Sequence, residues 1–182
     1  MKEYPKIPNS KDFPLGQCIT FEKYDGSNIR AEWTKKKGFH KFGTRTRLFN
    51  ESDPDFGCAI PIILETYSEC LSKIFIDNNL FKKIDNITIF TEFFGEHSFG
   101  GLHLPSDKKE VILFDVWIYK FGLLGPEVFV KTFENIKSAK VIYIKVNLTE
   151  TLLKILEMEN IRLKKEWFVN QEMVEEIYLC AK

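Results

Sequence analysis

The chain has 182 residues, and its 26 lysines and arginines are balanced by 26 aspartates and glutamates. That length suffices for one domain with a sizeable core. The balance excludes a general polycation, so a nucleic-acid partner would need a local basic patch, and 14% aromatic residues, 17 of them Phe, argue against disorder.

The start, "MKEYPKIPNS", carries no apolar signal core, and no run reaches membrane-spanning length. Cys18, Cys58, Cys70 and Cys180 are scattered, with no C-x-x-C pair, which points to a reducing compartment. A soluble, cytoplasmic protein is expected, with no membrane partner. His40, His97 and His103 have no zinc-ligand spacing. The last two flank Gly100-Gly101, which suits a loop.

Residues 17–22 and 28–34 read as strands, joined by an Asp25-Gly26-Ser27 turn in which glycine and aspartate tolerate unusual backbone angles. Lys23 stands two residues before that turn, where a hairpin has no need of it. Residues 38–49 read as a further strand and the loop after it, and "ESDPDFG" (51–57) as a loop. Residues 58–79 predict a helix. Ile63, Tyr67, Leu71 and Ile74 recur at helical spacing, and Pro61 suits a first turn. "NITIFTEFFGE" is a strand, "SFGGLHLPSDKKE" a loop, and "EVILFDVWIYK" a strand rich in β-branched and aromatic residues.

Pro126 opens a predicted helix over 125–137. "KVIYIKV" follows as a strand and "LTETLLKILEME" as a helix with Thr149 as cap. The tail from Arg162 has one apolar knot, Trp167-Phe168-Val169, and then an acidic run. Strands separated by helices of uneven length predict an α+β fold with mostly antiparallel sheets, as one domain over 1–182.

"KYDGSN", Lys23 to Asn28, resembles motif I (K-x-D/H-G-x-N/R) of the covalent nucleotidyltransferases, which comprise the ATP-dependent ligases and the mRNA capping enzymes. The terminal Asn is similar to the RNA ligase 2-like branch. Three further elements follow in family order. "KFGTRTR" offers Arg45 as motif Ia. "IFTEFFGE" offers Glu92 as motif III. "VILFDVW" offers Phe114 and Asp115 as motif IIIa. The resemblance covers roughly residues 20–120. It implies the nucleotidyltransferase fold of ligases and capping enzymes, two mostly antiparallel sheets flanked by helices.

It also implies chemistry. A lysine amine attacks the α-phosphate of ATP, leaving lysyl-AMP and releasing pyrophosphate. A free lysine, with a pKa of about 10.4, is mostly protonated at neutral pH, so a site must lower it. Arginines and a magnesium ion near the phosphates would do so, and would also stabilise developing charge. Lys23 is then the nucleophile. Glu22 fixes the adenine edge, and Gly26 lets the backbone close on the nucleotide. Asn28 contacts sugar or phosphate, and Arg45 binds phosphate. Glu92 accepts ribose hydroxyls, and Phe114 lines the adenine pocket. Asp115 has a structural alternative, holding a neighbouring strand or turn. The implied cofactors are ATP and Mg2+, and the implied partners are RNA ends joined 5′-phosphate to 3′-hydroxyl.

The tail departs from the pattern. Motifs IV (E-G-x-V) and V (K-x-K) are not intact. Glu166-Trp167-Phe168-Val169 keeps the Glu and Val of motif IV but places Trp at the glycine, and Lys182 has no partner at K-x-K spacing. Residues 162–182 are therefore atypical, either through natural reduction or through altered reading of a longer gene. Weak nucleotide binding with little sealing is the expectation. A nucleotide- or RNA-binding pseudoenzyme and a capping-type guanylyltransferase are the alternatives. The Lys35-Lys36-Lys37 run at a hairpin tip suits a solvated turn; any RNA attraction there would be salt-sensitive.

Overall fold

The computed structural model describes residues 1–5, 19, 21–22, 24–96 and 103–141. The chain forms two compact units. One holds Met1–Tyr4, Tyr24–Leu124 and Thr132–Ser138; the other holds Pro5–Lys23, Gly125–Lys131 and Ala139–Lys182.

The first unit is built on a six-stranded antiparallel sheet. Its strands are β1 (Ser27–Thr34), β2 (Gly38–Gly43), β3 (Leu48–Phe49), β4 (Asn86–Phe94), β5 (Glu110–Ile118) and β6 (Gly122–Leu123), in the order β3-β2-β1-β4-β5-β6. The α+β class and the antiparallel pairing agree with the sequence reading. The predicted strand over 28–34 is β1, and the apolar runs at 86–94 and 110–118 are β4 and β5. Helix α1 spans Ala59–Asp77 and α2 spans Pro126–Phe133.

Helix α1 covers one face of the sheet. Ile63, Tyr67, Leu71 and Phe75 recur every four residues and are buried, so they form one stripe. Trp33 donates its indole N–H to Ser72 Oγ (3.0 Å) and meets Phe75 edge-on at 5.2 Å. Ile29, Ala31 and Trp33 are the β1 residues of this face, and they are buried.

Tyr67 ties helix to sheet by its hydroxyl. It accepts the Leu113 amide at 2.7 Å and donates to the Lys137 carbonyl at 2.7 Å. Burial pushes this phenol far up from its ordinary pKa, so it stays a donor. Tyr67→Phe strips the hydroxyl from the Leu113 amide and from the Lys137 and Val111 carbonyls, and a buried polar group left unsatisfied costs about 1–3 kcal/mol. We expect the melting temperature to fall by about 2–10 °C in thermal unfolding. An unchanged midpoint would show that water takes over the hydroxyl's bonds.

Helix α2 ends at Phe133, short of the predicted residue 137. The cause is long-range. Ile136 donates its amide to the Phe133 carbonyl at 3.2 Å, and the Ser138 hydroxyl donates to that same carbonyl at 3.3 Å. Ser138 then bridges Leu113 of β5 in parallel, and Tyr67 holds the Lys137 carbonyl.

In the second unit, Phe21 forms an antiparallel bridge to Val141, and the Glu22 amide donates to the Lys140 carbonyl at 2.8 Å. The Phe21 ring meets Phe129 edge-on at 5.9 Å. Half of the predicted strand over 17–22, most of the strand from Lys140 and the whole of the helix after it lie outside the described residues. Among the described residues, no helix is long and apolar enough to cross a membrane.

Candidate functional site

The start of β1 and the end of β4 lie side by side. Ser27 faces Phe93, and Asn28 faces Glu92. Directly opposed residues project to the same side of a sheet, so Asn28 and Glu92 are neighbours on the face away from α1. Glu92 Oε1 accepts the Gly26 amide at 3.1 Å, a contact between residues 66 apart in sequence.

Gly26 is required by space. A Cβ there would stand 2.3 Å from the Phe93 carbonyl oxygen and 2.9 Å from Phe94 Cβ. Any side chain would push the turn away from β4, and with it the amide from Glu92. Gly95, just beyond β4, has φ of +112°, and a Cβ there would stand 2.4 Å from the Lys108 carbonyl oxygen. Glycine therefore sets both ends of the turn region.

Asn28 Oδ1 is buried and has no hydrogen-bond partner among the described residues. Arg30 follows two positions along the same face and is only 4% exposed. Its Nε and Nη1 also have no hydrogen-bond partner among the described residues. Burial lowers the Arg30 pKa, and the nearby Glu3 charge works against that shift. Buried polar atoms are nearly always satisfied by protein or by ordered water, so these atoms of two neighbouring residues are open to a polar partner.

Aromatic rings close one side. Tyr24 stacks on Phe94 with centroids 5.3 Å apart and planes 16° apart, and Phe94 stacks on His103 at 6.3 Å. His103 Nε2 donates to the Asp25 carbonyl at 2.9 Å, which holds the ring against the turn. The sequence reading did not single out Tyr24, Phe94, His103 or Arg30 for a site. The alternation of β1 was a usable signal for Arg30, since it places that residue beside Asn28.

Phe114 is buried on β5. A bulge separates the pair Phe90–Asp115 from the pair Thr91–Leu113, so Phe114 is the extra residue. Its ring stacks on Phe90 at 6.4 Å and meets Tyr4 edge-on at 5.1 Å. Phe90 faces Arg30 across β1 and β4, so both rings share the face of Asn28 and Glu92. Asp115 takes the structural part: Oδ2 accepts the Tyr4 hydroxyl (3.1 Å) and Oδ1 the Val116 amide (2.8 Å).

Arg45 lies exposed in the turn between β2 and β3, which the Thr44 amide closes on the Arg47 carbonyl at 2.8 Å. Gly43, the last residue of β2, pairs with Arg30, so the topology carries Arg45 to the end of the sheet where β1 begins. Arg47 is engaged elsewhere. Its guanidinium pairs with Asp53 and Asp55 and stands over the Phe56 ring at 5.7 Å. The Arg47 hydrogen bond, with the Phe56 amide, holds the Asp53 carboxyl down to about 2.

Gly26, Asn28 and Glu92 are thus brought together. Arg45 lies at the same end of the sheet, and Phe114 on the same face. Glu22 is half-buried in the other unit. Lys23 and Glu166 lie outside the described residues. An open groove along β2 and β3, lined by His40, Phe42, Phe49 and Ile60 among others, contains none of these residues. No family model matches the chain, and no curated protein sequence matches it.

Proposed function

We propose that this chain is an RNA ligase-like, ATP-dependent nucleotidyltransferase that forms lysyl-AMP at Lys23 and joins RNA 5′-phosphate to 3′-hydroxyl ends. The observation that carries this reading is the Gly26–Glu92 hydrogen bond with Asn28 beside it. Three positions matched to two separate motifs converge at one end of the sheet, next in sequence to the lysine. On this reading the Phe21–Val141 bridge belongs to the second antiparallel sheet of the nucleotidyltransferase fold.

The step balances simply. The Lys23 amine, once deprotonated, attacks the α-phosphorus of ATP. An N–P bond forms, the bond to the bridging oxygen breaks, and pyrophosphate leaves with that electron pair. Asn28 Oδ1, a buried acceptor without a partner among the described residues, fits a ribose hydroxyl or a water on phosphate-bound magnesium. Magnesium would enter with ATP, held mainly by phosphate oxygens, and would offset their charge. Arg30 and Arg45 add positive charge for the phosphates. Phe114, packed with Phe90 and Tyr4, would back the adenine pocket from the core side.

The test uses α-labelled ATP and GTP with magnesium, followed by a search for label retained on denatured protein. We expect label from ATP, and a larger thermal shift with ATP than with GTP, since a ligand that binds only the native state stabilises it by mass action. An equal or larger shift with GTP favours the capping-type guanylyltransferase. A shift with ATP and no label at all favours a nucleotide-binding pseudoenzyme, a reading that the altered motif IV and V region supports.

A further inference from the structure

The opposite end of the sheet presents a second surface. Thr34 ends β1 and pairs with Asn86, which opens β4. The Asn86 carbonyl in turn accepts the Tyr119 amide at 3.2 Å, just past the end of β5. Thr34, Asn86 and Tyr119 therefore lie abreast on three adjacent strands, with neighbouring strands about 4.8 Å apart. The three loops that leave these positions must sit side by side.

Each of those loops carries lysine. The β1–β2 turn is Lys35-Lys36-Lys37, all exposed, with the Lys37 amide bonded to the Thr34 carbonyl at 3.2 Å. The segment before β4 brings Lys82 and Lys83, both exposed. The β5–β6 turn is Tyr119-Lys120-Phe121, closed by the Phe121 amide on the Ile118 carbonyl at 3.0 Å. Six lysines meet here, and Asp85 is the one acidic residue within these segments, although the chain as a whole is balanced.

Two aromatic residues at this end are turned outward. Phe121 is 77% exposed and Tyr119 53%. Tyr119 meets Trp117 edge-on at 5.9 Å, which braces its ring, and Lys120 Nζ stands 5.6 Å from the Tyr119 ring centroid. Lys120 also has φ of 70°, a backbone conformation that glycine or asparagine adopts more readily. The turn accepts that strain with a cation at its tip.

We propose that this sheet end binds single-stranded nucleic acid, with phosphates on the lysines of the three loops and bases stacked on Tyr119 and Phe121. Charge complementarity chooses the partner: lysines from three loops track a polyanion, and exposed rings among them add stacking that any base can use. Paired bases in a duplex could not stack on these rings. The surface lies at the far end of β1 from Gly26 and Glu92, about 23 Å along the strand, so it does not rest on the nucleotidyl-transfer reading.

The experiment is fluorescence anisotropy with a labelled single-stranded oligouridine over a series of salt concentrations, with single-stranded DNA and blunt RNA duplex as further arms. We expect the single strand to bind more tightly than the duplex. Equal binding of single-stranded DNA also supports the surface, because stacking and phosphate pairing need no 2′-hydroxyl. The double variant Tyr119→Ala/Phe121→Ala should weaken binding by about 5- to 100-fold. Lys36→Ala/Lys83→Ala/Lys120→Ala should flatten the salt dependence by about 0.7 in log–log slope for each phosphate that is no longer neutralised. All these side chains are exposed, so the fold should survive, and circular dichroism checks it. Lys108→Ala, at the other end of the sheet, should bind like the parent. Tighter binding to duplex, no binding to any strand, or an equal weakening in Lys108→Ala would overturn the proposal.

Discussion

Lys23→Ala is expected to abolish covalent nucleotide attachment completely while leaving the protein folded. The phosphoramidate bond needs an amine, and on the proposed reading no other amine has the place to supply it. Label should therefore fall to background and not merely slow. The bond type gives an independent check, since a lysyl phosphoramidate is cleaved by acid and resists alkali. Binding should outlast the chemistry: Asn28, Glu92 and Phe114 lie on strands that this substitution does not touch. The measurement is gel autoradiography after incubation with α-labelled ATP, beside a thermal-shift titration of the same variant. Label that persists on a folded Lys23→Ala protein would sink the assignment of the nucleophile.

The strands and the first helix were legible because their signals are local. β4 and β5 are runs of β-branched and aromatic residues, and α1 shows its stripe at Ile63, Tyr67 and Leu71. The stripe continues to Phe75, while Ile74 is only half-buried. A large ring one position on fills the space against Trp33 and displaces the simpler choice. In β1 the residues Ile29 to Trp33 are buried on both faces, so burial does not separate core from site there; the alternation of residue type, with Arg30 and Glu32 between Ile29, Ala31 and Trp33, does. Tyr4, packed against Phe90 and Phe114, covers part of the second face from far away in the chain.

The site was legible only in part. Motif spacing singled out Gly26, Asn28 and Glu92, and β1–β4 pairing brings them together. The Tyr24–Phe94–His103 stack had no local signature, because its members come from three distant segments. The lysine-rich end was equally hidden. Sequence showed one run, Lys35-Lys36-Lys37, which alone suits a solvated turn. Strand order is what sets Lys82, Lys83 and Lys120 beside it.

Gly26→Ala should damage both the fold and the site. The added Cβ would stand 2.3 Å from a backbone oxygen of β4, so no side-chain rotation can relieve it. The turn must lift from Phe93 and Phe94, and the Gly26 amide must leave Glu92. Overpacking of this kind commonly costs about 1–3 kcal/mol, and a hydrogen bond to a charged group adds about 1.5–3 kcal/mol. For a chain of this size we expect the melting temperature to drop by about 5–15 °C. Nucleotide binding should fall with it, because lifting the turn also shifts Asn28, two residues on. Glu92→Gln separates the two effects. Its amide oxygen can still accept from Gly26, so the fold should hold, while the loss of negative charge should weaken its hold on ribose hydroxyls. Thermal unfolding and ATP titration of both variants check this. A Gly26→Ala protein with an unchanged midpoint and unchanged ATP binding would show that the turn does not need to lie this close to β4, and the site as drawn would fail with it.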